Sequence, residues 1–451
     1  MLALSLAVLI GLPAVVARYF EGNGQQPITI DNQPDFIPFS QFLPQVQHAN
    51  FTEYNDTAVL SEAEFQRMQS HVLYMYEGVH DRDSVRVDYV DCIAIREQPT
   101  YYHLKLGHIE QPPNVTSRGE REGHDTPGPS RSADSPLKLG LKDRFGNPIS
   151  CKPGYIPMKR LTLEYLTNFT TLNDFFSKGR GGPGRERPNP QGVEWDVHKW
   201  ASAFQQVENF GGNSWINLWS PKANFSLSQH WYVGGSGCST QTVEGGWEVG
   251  SWWPTNGQAV LFIYWTNHNY NLSGCQTTEM YGCYNLDCPG FAQLNNNWYI
   301  GGIWDHYSTI NGDQWGFEMQ WKLYKDKWWL FLRGRGEYEA VGFYPSSIYK
   351  GGQIAHNASL VAYGGEASRM KDGSPFPPMG SGKFPSDGWS RAAFQNTIFW
   401  IPRDENDGVG EWTKLGLESK TPGCYDINIT NFPAGGDWGT YIYFGGPGGT
   451  C

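Results

Sequence analysis

Two glutamates in this sequence stand where carboxylate chemistry is possible. Glu244 lies in T-V-E-G-G-W-E-V (Thr242 to Val249) and Glu366 in L-V-A-Y-G-G-E-A-S (Leu360 to Ser368), each against a glycine doublet, in opposite order. An ionised carboxylate takes a proton from water while a protonated one donates to the group being attacked, so a close pair can hydrolyse a bond. Glu248 is no partner for Glu244, because four residues along a strand span about 13 Å. The second carboxylate must come from another strand, and Glu366 is the best candidate. Gly245, Gly246 and Gly365 leave bare backbone beside the two acids, as a cleft for an extended chain needs. On residue types alone a blander reading is commoner: solvated strand glutamates at a bend or bulge.

Period-two alternation over Thr242 to Val249 predicts a strand with Val243, Gly245, Trp247 and Val249 facing a core and Glu244, Gly246 and Glu248 opposite. From Gln191 to Cys451 the texture is short strands, glycines and aromatics, as in Trp215 to Trp219, Val260 to Thr266, Trp298 to Ile303, Trp328 to Leu332 and Thr440 to Phe444. The expected fold class is therefore mainly β, an antiparallel β-sandwich of about 260 residues, preceded by a small α+β domain. That domain, residues 18–177, holds a helix opening at Ser61 with Glu64 as a capping box and a stripe of Phe65, Met68, Val72, Leu73 and Tyr76, then alternation over Val85 to Ile95. Residues 111–137, rich in Pro, Gly, Ser and charge, read as a disordered insertion. Residues 178–190, K-G-R-G-G-P-G-R-E-R-P-N-P, read as an exposed linker open to processing.

Residues 1–17 are an apolar run closed by small residues, a secretory signal too short to span a bilayer comfortably. Eight cysteines without C-x-x-C suit disulfides in an oxidising compartment. Glycosylation acceptors occur at Asn50, Asn55, Asn114, Asn168, Asn224, Asn271, Asn357 and Asn428, so the expectation is an extracellular glycoprotein with no membrane partner. The formal net charge is −11, and no Lys or Arg lies between Lys222 and Lys322. Nucleic acid is thus an improbable partner. A carboxyl in that span has no sequence-near cation, so burial and a second carboxyl are expected to push it up and suit it to acid. No cofactor or metal is expected: H-E-x-x-H is absent, Gly380 to Phe384 fails the P-loop pattern, and Gly234 to Gly237 does not make a nucleophile elbow.

The runs W-I-N-L-W-S-P (215 to 221), F-S-L-S-Q-H-W (225 to 231), V-E-G-G-W-E-V, Y-W-T-N (264 to 267), C-Y-N-L-D-C-P-G-F (283 to 291), Y-G-G-E, M-G-S-G-K-F-P (379 to 385) and Y-F-G-G-P-G-G resemble the neprosin family, glutamic peptidases that cut after proline. V-D-C-I-A-I-R-E-Q-P (90 to 99) and C-K-P-G-Y-I-P-M-K-R (151 to 160) resemble that family's N-terminal propeptide. The resemblance implies a β-sandwich with Glu244 and Glu366 as the catalytic pair, and it does not support Glu248. It also implies bridges Cys283–Cys288 and Cys424–Cys451. Cys92 with Cys151 would close the N-terminal unit and leave Cys238 with Cys275, which look additional, although four cysteines allow other pairings. Gln229, Tyr264 and Trp265, in these motifs, join the glycines as substrate-contacting candidates.

The chain thus reads as a secreted zymogen whose partners are proline-containing peptides and its own prosegment as inhibitor, removed in acid near Pro188 and Pro190. The rivals from other classes are a β-sandwich glycoside hydrolase and a sugar-binding module.

Overall fold

All residues of the strand Gln241–Gly250 are buried, so the carboxylate face predicted from its alternation is covered rather than open to water. The computed structural model describes residues 37–80, 82–85, 90–118, 141–142, 149–179, 198–369 apart from 273, 278 and 335, and 374–451. The signal at 1–17, the processing prolines at 188 and 190 and residues 119–137 of the expected insertion lie outside them.

Two sheets make the sandwich. One runs Leu417–Ser419, Lys199–Asn209, Ala358–Ser368, Phe225–Gly234, Gln241–Gly250, Val260–Thr266, Ile303–Trp304, Leu141–Lys142, with Gly282–Tyr284 also pairing to Val260–Thr266. The other runs Ala292–Gln293, Glu339–Pro345, Lys327–Arg333, Gly316–Tyr324, Gly211–Asn217, Ala393–Trp400, Val409–Trp412, Ser117–Arg118, with Tyr441–Gly445 off Ala393–Trp400. The sheets meet closely at Gly245: a Cβ there would come 3.0 Å from Met319 Sδ and 3.2 Å from Trp321 Nε1 of the opposite sheet. An added methyl would overpack that contact, at a cost of about 1–3 kcal/mol. Trp247, fully buried two residues on, donates from Nε1 to Asn217 O at 2.9 Å across the sandwich. Burial of such a side chain stabilises by about 1.5–3 kcal/mol.

Ser61 caps the helix Glu62–Met75 by accepting from Glu64 N at 3.3 Å. The reciprocal half of the capping box is absent, because the Glu64 carboxylate accepts from Arg67 at 2.7 Å and from Leu172 N at 3.2 Å. Phe65, Met68, Val72 and Met75 form the buried stripe, with Leu73 only half-buried. Beside them stand the strands Arg82–Val85, Val90–Ala94 and Tyr155–Lys159, and a buried ion pair joining Arg160 to Asp91 at 2.6 Å. Four disulfides are formed: Cys92–Cys151, Cys238–Cys275, Cys283–Cys288 and Cys424–Cys451.

Three expectations need correction. The N-terminal region is not an independent unit: Pro38–Cys451 pack as one, with Ser117–Arg118 adding parallel to Val409–Trp412 and Leu141–Lys142 antiparallel to Ile303–Trp304. Residues 111–118 are consequently docked, not a loose insertion; Thr116 N donates to Gln320 Oε1 at 2.8 Å and Gln320 Nε2 to Thr116 O at 3.0 Å. Trp298 to Ile303 is mostly irregular, with a turn at Ile300 and Gly301, since only Ile303–Trp304 pairs as strand. Among the described residues no helix is long and apolar enough to cross a membrane, and the eight glycosylation acceptors are exposed or half-exposed.

Candidate active site

The strand Phe225–Gly234 separates the two glutamate strands and sets their positions. In its register Leu227 pairs with Glu366 and Trp231 with Glu244. Gln229 falls between them with the same side-chain parity, so the two glutamates and the glutamine share one face. Glu244 Oε2 and Glu366 Oε2 both bind a single nitrogen, Lys178 Nζ, at 2.5 and 3.1 Å. The two carboxylate oxygens therefore lie within about 6 Å of each other, close enough to hold one water between them.

Each glutamate has its other oxygen occupied. Glu244 Oε1 accepts from Thr242 Oγ1 at 2.7 Å and from Tyr270 Oη at 2.6 Å, and Glu366 Oε1 lies 2.5 Å from His198 Nδ1. Gln229 Nε2 also reaches Glu244 Oε2, at 2.6 Å. What remains for the shared position is the two Oε2 atoms. Gln229 Oε1 is buried and makes no hydrogen bond within the described structure.

Lys178 arrives on a small, well-specified element. Thr171 caps the helix Leu172–Phe176 with a full capping box, Thr171 Oγ1 accepting from Asp174 N at 3.1 Å and Asp174 Oδ2 from Thr171 N at 3.0 Å. Phe176 is buried beneath the edge of His71, and the extended Ser177 then turns the chain into the cleft. Gly179, at φ +69°, passes so near His198 that a Cβ would stand 3.1 Å from its Cε1. Tyrosines of the cleft wall hold this segment by its main chain: Tyr264 Oη donates to Phe176 O at 3.2 Å, Tyr281 Oη to Asn173 O at 3.0 Å, and Gly179 N donates to Tyr284 Oη at 2.9 Å. The Lys178 side chain is only 7% exposed and lies 5.2 Å from the Trp231 ring centre.

The electrostatics of Glu366 follow from this cation. Burial would raise the Glu366 carboxyl, but Lys178 and His198 outweigh it and hold the group down to about 2. Burial opposes the charge on Lys178, and the two glutamates nevertheless keep its pKa above the ordinary lysine value. The cation was missed because it sits at the start of the stretch read as an exposed linker, 66 residues before Glu244.

The remaining candidates divide by strand parity. Tyr264 pairs with Glu244 and shares its face, whereas Trp265 pairs with Val243 on the core face and packs against Tyr344 and Tyr349 at 6.4 and 6.0 Å. Trp265 is therefore core, not cleft. Gly245 and Gly365 also turn inward, Gly365 towards Phe444 and Met379, and only Gly246 keeps the Glu244 side. Glu248 accepts from Trp253 Nε1 and Tyr284 Oη, each at 2.9 Å, and stays outside the pair. Tyr270 and His198 were missed altogether. No group of ligating residues able to hold a metal exists among those described.

A buried glutamate pair in an antiparallel two-sheet fold defines a class of hydrolytic site. The chain matches the Neprosin family profile over residues 222–447, half of its 451 residues and inclusive of both glutamates, and it belongs to that family. It is a glutamic-type peptidase. Among solved structures it is similar to scytalido-glutamic peptidase with a transition state analog inhibitor, at 11% identity and TM-score 0.27, over 57% of this chain and 100% of that one. It is also similar to SCP-B, a member of the Eqolisin family of peptidases in a complex with the tripeptide Ala-Ile-His, at 11% identity and TM-score 0.26, over the same shares.

Proposed function

We propose that the chain is the secreted zymogen of an endopeptidase that cleaves on the C-terminal side of proline, in acid, by activating water between Glu244 and Glu366. The observation that carries this reading is the single ammonium bound by both carboxylates. A water at that position would give a proton to one carboxylate as its oxygen attacks the scissile carbonyl carbon. The other carboxyl protonates the carbonyl oxygen, and collapse of the tetrahedral intermediate breaks the C–N bond as the departing nitrogen takes a proton. The pair titrates as a unit, so the roles are assigned to the pair. Proline preference rests on the family resemblance, and export on fully paired cysteines and accessible glycosylation acceptors.

Latency in this reading is the work of residues 38–179, because Lys178 occupies the position the water needs. A cut in 180–197 would leave Lys178 on the N-terminal piece, so cutting must be followed by withdrawal from the cleft. The test is acid incubation of purified full-length protein, with N-terminal sequencing and a proline-containing peptide as substrate. Wild type should become active as the N-terminal piece is lost, while Glu244→Gln and Glu366→Gln should each lose at least about 1,000-fold in turnover. Near-wild-type turnover by either variant refutes the pair. Cleavage of a β-glucan in place of the peptide would favour a glycosidase.

A further inference from the structure

The loop that carries Tyr270 is strained. Asn269, Tyr270 and Asn271 have φ of +43°, +55° and +58°, three consecutive left-handed residues without a glycine. Asparagine tolerates that conformation, but tyrosine rarely adopts it, and such strain persists only where the surroundings enforce it. Here Asn269 N donates to Thr240 O at 2.8 Å and Tyr270 N to Thr266 Oγ1 at 3.2 Å, while the Cys238–Cys275 disulfide ties the far end of the loop to the turn Gly237–Ser239. What the enforced conformation delivers is one hydroxyl. The Tyr270 ring stacks over Tyr264 at 6.0 Å and its Oη meets Glu244 Oε1.

We infer that Tyr270 is a positioning residue of the carboxylate pair, and that the Cys238–Cys275 disulfide serves catalysis by holding the turn that delivers it. With Thr242 and Tyr270 on Oε1, Glu244 rotates no further and presents Oε2 to the reacting water. Burial and the Glu244 charge push the Tyr270 phenol well above its ordinary range, so the hydroxyl stays a donor throughout the working pH range. Glu244 is faced by Lys178 until the N-terminal segment leaves, by Glu366 across that position, by Gln229, Thr242 and Tyr270, and by the buried phenols of Tyr344 and Tyr349, the latter donating to Thr242 O at 3.1 Å.

This inference rests on the peptidase reading, and the experiment separates the two. Acid-activated wild type, Tyr270→Phe and the double variant Cys238→Ser/Cys275→Ser are compared on one proline-containing peptide across pH. Tyr270→Phe should lose about 10- to 100-fold in kcat with KM within about twofold. The acid limb of its pH–rate profile should also move to higher pH, because a donor to the charged form has been removed. A purely structural tyrosine would lower the melting temperature and leave that limb in place. The double variant should reproduce the kcat loss, and adding Tyr270→Phe to it should cost little more, as for residues acting as one device. A Tyr270→Phe enzyme with wild-type kcat and profile overturns the inference, whether or not the double variant folds. A folded double variant with undiminished kcat overturns the role of the disulfide. Wild type inert toward every peptide overturns the peptidase reading and this inference with it.

Discussion

Two of the contacts by which the N-terminal region grips the sandwich differ in chemistry. In the cleft the contact is charge on charge, Lys178 on Glu244 and Glu366. At the end strand Ala292–Gln293 and the bend after it the contact is made by neutral amides: Gln98 Nε2 donates to Gln293 O and Gln293 N to Gln98 Oε1, both at 2.8 Å, and Asn296 Nδ2 donates to Cys151 O at 2.6 Å while Cys151 N donates to Asn296 O at 2.9 Å. Thr100 adds a hydroxyl, donating to Phe291 O at 2.8 Å and accepting from Gly290 N at 3.0 Å. Carboxylates titrate in acid and amides do not, so acid can loosen the first grip and leaves the second intact. On the zymogen reading proposed above, the cleft would open before the segment detaches, the order that self-cutting of the linker would require.

The largest effect is expected at Lys178. Lys178→Met leaves the buried Glu244 without its cation and Glu366 with His198 alone, and breaking a buried pair from one side costs about 3–5 kcal/mol. Calorimetry at neutral pH should show that loss, with a deficit that narrows in acid as the carboxylates protonate, and the uncut variant should cleave peptide. A variant as stable and as silent as wild type would mean that the ionic grip does not enforce latency.

Next is the pH at which the cleft yields. Glu366 lies at about 2 against an ordinary 4.5. A depressed carboxylate adds stability that is complete above its ordinary value and lost as pH falls through the depressed one. The grip should thus survive at about pH 5 and fade between about pH 4.5 and 2, so full-length protein should become active only below about pH 4. Cutting and activity with a midpoint near pH 6 would show that another group is the trigger.

The strand Gln241–Gly250 and its faces were legible because period two is a property of sequence, and the same rule settles more than motif matching does. Tyr264 and Trp265 are neighbours in one strand, as are Gly245 and Gly246, so only one of each pair could face the cleft. Resemblance named the residues without their parity. Lys178 was not legible as a site residue: a Lys followed by Gly-Arg-Gly-Gly reads as solvated linker, and only tertiary packing on Phe176 places it in the cleft. Tyr270 had no pattern to announce it, since strained turns follow no period. The downward shift at Glu366 was invisible for a related reason: both cations beside it come from more than 160 residues away.

The amide grip supplies the control. Gln98→Ala leaves the buried Gln293 N–H and C=O without partners, worth about 1–3 kcal/mol. The loss should be equal at neutral and acid pH, and the pH of activation should stay where it is while the cut segment leaves faster. A Gln98→Ala protein whose activation midpoint moves would break the division between the two grips.

The smallest effect is expected at His198, and it distinguishes a charge that leaves from one that stays. His198 adjoins the strand Lys199–Asn209, so any cut in 180–197 leaves it on the sandwich, whereas Lys178 goes with the N-terminal piece. Its side chain is 24% exposed, so solvent screens its charge more than that of Lys178. Losing one of two cations beside Glu366 relaxes the downward hold on that carboxyl. The activation midpoint of His198→Ala should therefore shift upward, by less than about one pH unit, whereas Lys178→Met abolishes pH control. His198→Ala should also change the pH–rate profile of the cut enzyme, which Lys178→Met cannot do once the segment has gone. A His198→Ala protein with the wild-type midpoint and profile would leave Lys178 as the only cation that matters to Glu366.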